Sequence, residues 1–187
     1  MAANDARAID TRQFRNALGR FASGVTVLTA DYENQTHGMT ANAFVSVSLD
    51  PPLILVSLDN RSNMHRILPS VRRFGISVLA EDQEALSNHF AGRTVAGLHV
   101  RFVTRRDIPL LAGAVAYFAV DVIDIHPAGD HTLYIARVEH FEEGEGNPLL
   151  FHAGRYGKIR GEKGPPTRWP QDELSLFSIG SVDPPIT

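Results

Sequence analysis

Short apolar runs separated by polar turns make up most of this chain. Three such runs, at residues 25–29, 53–58 and 74–79, are compact and rich in β-branched or aliphatic side chains, so each predicts a strand. Two longer apolar segments, residues 114–126 and 132–142, match in length and flank a connection rich in turn-forming residues. They predict a long antiparallel hairpin.

The first predicted helix is amphipathic. Asp10 or Thr11 can cap a helix over residues 12–21. Apolar positions recur on it at helical spacing and form one stripe, made of Phe14, Ala17, Leu18 and Phe21. A stripe of this kind is typical of a helix that packs one face against a protein surface.

Two further helical segments are predicted along the chain. The polar run 60–63 opens a short helix at residues 64–68, and residues 81–90 predict a surface helix that ends near Gly92. Helices are few and there is no strand–helix–strand alternation. The pattern therefore predicts a mainly β fold, an antiparallel β-barrel with peripheral α-helices.

Both faces of the long hairpin are apolar. The residues concerned are Val120, Val122, Ile123, Ile125, Leu133 and Ile135. Such a strand must be covered twice, once by the barrel interior and once from outside. With so few helices available, we expect a two-fold partner to cover the outer face, so the protein is predicted to be a homodimer. The alternative is that the first helix and the segment after Ile159 cover this face within one chain.

Composition fits one globular domain in a chain of 187 residues, 43% of them hydrophobic. We expect this domain to span residues 10–160. After Ile159 the sequence changes to glycine, proline and charged residues, which predicts an extended arm at 161–187. A formal net charge of −3 gives no general electrostatic reason to bind nucleic acid or an anionic membrane.

Some classes of chemistry are excluded by residue content. The chain has no cysteine, so disulfides, thiolate nucleophiles, cysteine-ligated zinc and iron–sulfur clusters are ruled out. The eight histidines show no metal-ligand spacing, and we expect no metal. Residues 1–14 do not form a secretory signal, and no apolar stretch approaches the ~20 residues of a membrane span. We therefore expect a cytoplasmic protein.

The strongest sign of a ligand site lies in residues 37–68. Small side chains there allow a flat ligand to approach the backbone closely, at Gly38, Thr40, Ala41 and Ala43. The run Asn-Arg-Ser-Asn at 60–63 places capping side chains and a guanidinium at a helix start, which suits a phosphate. Together they suggest a phosphorylated cofactor such as a flavin nucleotide. The same pattern also occurs in proteins that bind nothing.

The tripeptide Gly129-Asp130-His131 has two interpretations. It is well suited to a plain hairpin turn, or it presents His131 at the barrel rim to contact a nicotinamide. Signatures of dinucleotide-binding, phosphate-loop, zinc-protease and serine-hydrolase sites are absent from the sequence.

Five segments follow one another in a recognisable order. They are FRNALGRFASGVTVLTA from residue 14, HGMTANAFVSVSLDPPLILVSL from 37, NHFAG from 88, AGDHTLYIARV from 128 and PLLFHAGRYGKI from 148. Together they resemble the short-chain flavin reductases that supply reduced flavin to two-component monooxygenases, and the resemblance covers residues 14–158. It implies a six-stranded split β-barrel with Greek-key connections, of the FMN-binding type, assembled as a homodimer with flavin near the interface.

The resemblance also implies roles for individual residues. Those that would line or support the flavin ring are Met39, Thr40, Ala41, Asn42, Ala43, Ser46, Ser57, Leu58 and Asp59. Those that would hold the phosphate or close the ribityl–phosphate region are Arg61, Ser62, Asn63, Phe90, Ala91 and Arg93. His131 would contact the nicotinamide, and the segment that closes over the site would contribute His152, Gly154 and Tyr156. For Tyr156, simple core packing is an equal alternative. Met64 stands where family members often carry a second phosphate-binding hydroxyl.

The implied activity is NAD(P)H-dependent reduction of FMN or FAD, with NADH preferred and the reduced flavin passed to a separate monooxygenase. Hydride passes directly between the two cofactors, so the protein need only stack their rings and stabilise charge at flavin N1 with backbone N–H groups. Two alternatives are a B6-phosphate oxidase-like enzyme and a non-catalytic flavin- or heme-binding barrel. A nicotinamide-contacting histidine favours the reductase over both.

Overall fold

Strands form most of the regular structure. The computed structural model describes residues 9–93 and 95–161. Its helices are α1 Thr11–Leu18, α2 Asn63–Val71 and α3 Glu84–Phe90. Its strands are β1 Ser23–Gly24, β2 Thr26–Tyr32, β3 Gln35–Ala41, β4 Phe44–Leu49, β5 Pro52–Asp59, β6 Arg73–Val78, β7 Phe102–Arg105, β8 Ile108–Leu111, β9 Ala116–Ala128, β10 His131–Glu143, β11 Leu150–His152 and β12 Arg155–Gly157. The prediction of a mainly β fold with peripheral helices is confirmed.

Seven strands form one antiparallel sheet in the order β3–β2–β6–β9–β10–β5–β4. Its two edge strands, β3 and β4, are consecutive in the chain and are joined only by Asn42 and Ala43. The sheet therefore curls until its edges meet at this connection without pairing, which makes it a split barrel. Two small sheets, β1–β11–β12 and β7–β8, complete the described fold. The main sheet has one strand more than the six expected.

The predicted hairpin is confirmed, and its turn is tighter than expected. Strands β9 and β10 continue to Ala128 and His131, which leaves only Gly129 and Asp130 between them. Gly129 has a φ of +66°, a left-handed conformation that glycine adopts without strain and that two-residue hairpin turns require.

A β-bulge explains the imperfect alternation along β9. Val122 pairs with Ala136 and Asp124 pairs with Ile135, so Ile123 is an extra residue that the partner strand does not match. Ile123 is accordingly 42% exposed, whereas Val122 is buried. Apolar residues on both faces of β9 thus reflect a shift in register at this bulge.

The helices differ from their predictions in length. Asp10 caps α1, with its Oδ1 accepting from the N–H groups of Arg12 at 2.8 Å and Gln13 at 3.1 Å. This helix ends at Leu18 instead of residue 21, and none of its residues is buried. Helix α2 is longer than the predicted 64–68, and α3 begins at Glu84 instead of residue 81.

Two hydrophobic cores hold these elements together. The larger core fills the barrel and includes the fully buried Tyr134, Phe74 and Leu58. The smaller core is built on Val25, Val27, Leu79, Leu111 and Leu149, and it packs Phe90 of α3 and Tyr156 of β12 against β2. The predicted arm, apart from residue 161, lies outside the described residues. In the described part, the helices are too short and too polar to cross a membrane.

Candidate active site

A cavity of about 360 Å³ opens between the end of β3, helix α3 and the β11–β12 hairpin. We call it the ring cavity. The predicted site residues that line it are Thr40, Ala41, Asn42, Ala91, Arg93, Gly154 and Tyr156. Five lining residues are additional to the prediction: Val25, Glu84, Ser87, Asn88 and Phe151. The volume is within the range of small-molecule sites, about 300–1,000 Å³.

Ser87 joins three walls of the ring cavity. It is fully buried, its carbonyl accepts from the Thr40 hydroxyl at 2.7 Å, and its own hydroxyl lies 2.8 Å from the Tyr156 hydroxyl. Tyr156 also packs edge-on against Phe151, with ring centroids 5.4 Å apart. Tyr156 thus packs in the smaller core and also lines the cavity, and its role in closing over a ligand stays a prediction. The sequence gives no signal for Ser87, because the segment around it has the pattern of a surface helix.

The space beside Gly38 has a different use from the one predicted. A side chain at this position would collide with the ring of Phe90, which lies directly over the glycine. Gly38 therefore admits the aromatic side chain of α3, and the expectation that it lets a ligand approach the backbone is wrong. Phe90 in turn closes the wall behind the cavity by packing into the smaller core.

Residues 59–63, which we call the phosphate turn, connect β5 to α2. The Arg61 guanidinium donates to both carboxylate oxygens of Asp59, at 3.1 and 2.7 Å. These hydrogen bonds hold the pKa of Asp59 well below its usual range. Ser62 caps α2, its hydroxyl accepting from the His65 N–H at 3.1 Å. The exposed Asn63 and the first-turn N–H groups lie beside it, as a phosphate site requires.

The barrel core holds the first turn of α2 in place. Met64 is 1% exposed and packs in the larger core, so its position faces away from any phosphate. Pro69 lacks the N–H that would bond to the His65 carbonyl. The buried Tyr134 hydroxyl donates to that carbonyl at 3.2 Å and lies 2.8 Å from His65 Nδ1. The helix start is thereby fixed to β10.

Asn60, predicted only as part of the polar run at the helix start, joins the phosphate turn to residues 129–132, the hairpin tip. Its backbone N–H donates to the Asp130 carbonyl at 3.0 Å, and its side-chain amide donates to the Gly129 carbonyl at 3.4 Å. The Thr132 hydroxyl donates to Asn60 Oδ1 at 2.7 Å. The register of β5 and β10 places His131 opposite Asp59. The two predicted contact regions are therefore one hydrogen-bonded unit.

The imidazole of His131 is half-exposed on the hairpin tip. Its Nδ1 lies 2.7 Å from Asp130 Oδ1, and the bond to His131 lowers the pKa of Asp130. An ionised carboxylate can only accept, so Nδ1 carries the proton and Nε2 remains available to a ligand. This orientation fits a binding role for His131.

The remaining predicted residues fall into three groups. Met39 and Leu58 pack in the larger core and support the site from behind. Ala43 and Ser57 connect the ring cavity to the phosphate turn, because the Ser57 N–H donates to the Ala43 carbonyl at 3.1 Å. Two residues lie apart from the ring cavity. Ser46 is on β4, where it pairs with Ile54 of β5, and His152 is exposed on β11. Within residues 9–93 and 95–161, no three His, Asp or Glu side chains converge as metal ligands would.

A split barrel with a cavity beside its edge strand and a capped helix start flanked by Arg61 and Asn63 has the arrangement expected of a flavin-nucleotide-binding barrel. Residues 18–160 match the family described as flavin reductase like domain. The chain belongs to this family, and the predicted resemblance is confirmed.

Relatives and solved structures agree with this assignment. The chain is 52% identical over 148 residues to an NADH-dependent flavin reductase of Rhodococcus sp, covering 78% of this chain and 84% of that protein. It is 36% identical over 160 residues to the reductase component of 4-nitrophenol 4-monooxygenase/4-nitrocatechol 2-monooxygenase of Rhodococcus opacus, covering 84% and 85%. The structure of the flavin reductase PheA2 in its native state superposes with a TM-score of 0.79 at 40% identity, covering 82% of this chain and 100% of that one.

Proposed function

We propose that this protein is an NADH-dependent flavin reductase that passes reduced flavin to a separate flavin-dependent monooxygenase. The observation that carries the proposal is the link between the two ends of the site. Ala43 adjoins Asn42 of the ring cavity, and its carbonyl accepts at 3.1 Å from the N–H of Ser57, two residues before the phosphate turn. The names of the relatives, an NADH-dependent flavin reductase and a monooxygenase reductase component, support it. Neither the B6-phosphate oxidase-like enzyme nor the non-catalytic barrel has comparable support.

The ring cavity suits the isoalloxazine of a flavin. Strand β3 is an edge of the main sheet, so half of its backbone groups point away from β2. N–H groups at such an edge, continued by Asn42 and Ala43, can stabilise the negative charge that develops on a reduced ring. When bound, the flavin itself supplies the hydride-accepting chemistry. The task of the protein is to hold its ring flat against this wall.

The phosphate turn suits the nucleotide end of the flavin. Ser62, Asn63 and the first turn of α2 offer N–H and side-chain donors, and the positive end of the helix dipole favours an anion. Arg61 retains free N–H groups beyond those bound to Asp59. At the hairpin tip, His131 is to orient the nicotinamide; its half-exposed imidazole, held by Asp130, supports this role.

We propose that the active form is a homodimer. Helix α1 buries none of its residues, and Phe14 and Leu18 are each more than half exposed. Val45 on β4 is also 54% exposed, and it borders an apolar groove that Leu18 and Phe21 line. Helix α1 thus adds to the uncovered apolar surface instead of covering it. A second copy offering the same face would remove this surface from water in both chains.

The dimer has a direct test in sedimentation. The wild-type protein is expected to sediment as a dimer at micromolar concentration. The double variant Leu18→Asp/Val45→Asp is expected to sediment as a monomer and to bind flavin more weakly. A stable, flavin-binding wild-type monomer would contradict the proposed assembly.

NADH oxidation tests the activity. Purified protein is mixed with NADH and either FMN or FAD, and absorbance of the nicotinamide is followed. We expect oxidation only when flavin is present. Under anaerobic conditions, the reduced flavin should pass through an ultrafiltration membrane that retains the protein. Absence of oxidation with both flavins would overturn the proposal in favour of a flavin-binding protein without activity.

A further inference from the structure

A buried hydroxyl on β10 reaches the helix that begins at the phosphate turn. Tyr134 is 0% exposed and follows the buried Thr132 by two residues, so both side chains point to the same face of the strand. Thr132 bonds to Asn60 on one side of the phosphate turn, and Tyr134 bonds to His65 on the other. The segment between them, residues 60–65, is therefore held to β10 at both ends.

Helix α2 needs this hydroxyl because it contains Pro69. In a regular helix the N–H of residue 69 would donate to the His65 carbonyl, and proline has no N–H. The Tyr134 hydroxyl takes that place, donating to the carbonyl at 3.2 Å. Burial raises the pKa of Tyr134, so the hydroxyl keeps the proton that it donates. A side chain of β10 thus completes the backbone hydrogen bonding of α2.

His65 links this contact to the phosphate turn. Its backbone N–H donates to the Ser62 hydroxyl oxygen at 3.1 Å, which leaves the hydroxyl proton of Ser62 available to a phosphate oxygen. Its Nδ1 lies 2.8 Å from the Tyr134 hydroxyl, so the imidazole and the carbonyl of His65 are held by the same group. A movement of His65 would therefore move the helix cap, and with it the donor that the proposed site offers to a phosphate.

We propose that Tyr134 is a positioning residue for the flavin phosphate, acting through the His65 carbonyl and the Ser62 cap. This inference rests on the proposed function. Without the hydroxyl, the His65 carbonyl must turn toward water to find a donor, and the first turn of α2 moves with it. The phosphate then meets donors that are out of alignment, whereas the flavin ring in the ring cavity is unaffected. Tyr134 thus sets how strongly the protein distinguishes FMN from riboflavin.

Flavin titration of two variants tests the proposal, because one removes the hydroxyl and the other restores the missing N–H. Tyr134→Phe removes the donor and keeps the ring in the larger core. We expect its FMN Kd to rise about fivefold and its riboflavin Kd to stay within about twofold of the wild-type value. Pro69 is exposed, so Pro69→Ala adds an N–H at residue 69 without disturbing the core.

The double variant Tyr134→Phe/Pro69→Ala regains a donor for the His65 carbonyl. Its FMN Kd should return to within about twofold of the wild-type value, so the two effects should not add. Pro69→Ala alone should leave both Kd values unchanged. Tyr117→Phe removes a hydroxyl from a half-buried tyrosine on β9 and is the matched control, which should also change neither Kd.

Each other outcome decides against the inference. Equal rises of the FMN and riboflavin Kd in Tyr134→Phe would show that the residue only supports the fold. A loss of FMN affinity that Pro69→Ala does not reverse would show that the His65 carbonyl does not transmit the effect. If Tyr134→Phe is too unstable to titrate, weak FMN binding by the double variant overturns the inference and wild-type FMN binding supports it.

The wild-type protein separates this inference from the proposed function. Wild-type protein that binds neither flavin and does not oxidise NADH would count against the proposed function itself. An unchanged FMN Kd in Tyr134→Phe, with an active wild type, would overturn the role of Tyr134 alone.

Discussion

The two ends of the site are held together by different forces. At the phosphate turn and hairpin tip, side-chain hydrogen bonds of Asn60, Thr132 and Asp130 fix the geometry. Around the ring cavity, packing of the smaller core fixes the walls, and Ser87 supplies most of the polar contacts between them. Removing one polar group disrupts the first kind of arrangement, whereas added volume disrupts the second.

The largest effect is expected from filling the ring cavity. Ala91 is exposed at the end of α3 and lines the cavity, so Ala91→Trp should block it without disturbing the core. We expect FMN, FAD and riboflavin all to lose at least about a hundredfold in affinity. Fluorescence titration measures this, with Ala96→Trp, an exposed residue outside the cavity, as control. Normal binding in Ala91→Trp would show that the flavin ring lies elsewhere.

At the phosphate turn, removing one hydroxyl should weaken the binding of a flavin nucleotide and leave the binding of the bare flavin unchanged. Ser62→Ala is expected to lower the affinity for FMN about tenfold and to leave the affinity for riboflavin unchanged, because riboflavin has no phosphate. It also removes a helix cap, which costs about 1 kcal/mol of stability. Arg61→Ala should have a smaller effect, because Asp59 already neutralises the guanidinium. Ser70→Ala at the other end of α2 is the control, and equal losses for FMN and riboflavin would disprove the phosphate site.

Asn60→Ala should affect both cofactors, since it separates the phosphate turn from the hairpin tip. It removes two neutral hydrogen bonds worth about 0.5–1.5 kcal/mol each, so the FMN Kd and the NADH KM should both rise several-fold. Thr132→Val removes the partner hydroxyl and should reproduce much of this change. In the double variant the effects should not add. An effect on only one cofactor would show that the two regions act independently.

His131→Ala is expected to act on the nicotinamide alone. Loss of an orienting contact raises the KM for NADH, with a moderate decrease in kcat, and the flavin Kd stays unchanged because the phosphate turn is intact. Steady-state kinetics and flavin titration on the same preparation measure both. Loss of flavin binding with a normal NADH dependence would contradict this role.

The smallest effect is expected for Asp130→Ala. His131 lowers the pKa of Asp130, so their pair is intact above the ordinary carboxyl range and is lost only as pH falls through the lowered value. The NADH KM of Asp130→Ala should exceed the wild-type value about twofold at every pH above about 4. A difference that disappears as pH rises from 5 to 8 would show that Asp130 is not the group that orients the imidazole.

Features that depend on neighbouring residues could be predicted from the sequence. The hairpin is marked by Gly129 and Asp130, and the phosphate turn by capping residues before an apolar helix. Strand β3 was harder to predict, because most of residues 35–41 are small or polar and lack the apolar alternation of a strand. Its place at the sheet edge depends on pairing with β2, which is a property of the whole sheet.

Features that join distant segments could not be predicted. Ser87 contacts Thr40 and Tyr156, and Asn60 contacts Thr132, across 47 to 72 residues of chain. No local pattern encodes such contacts, because they depend on how the sheet curls. The burial of Met64 could not be predicted either, because it depends on how α2 packs on the barrel.

A crystal structure of the protein with FMN bound tests the central claim most directly. We expect the isoalloxazine in the ring cavity, against Thr40 to Ala43, and the phosphate at Ser62 and Asn63. A ring outside this cavity, or a phosphate with no contact to the first turn of α2, would contradict the division of the site into a packed end and a hydrogen-bonded end.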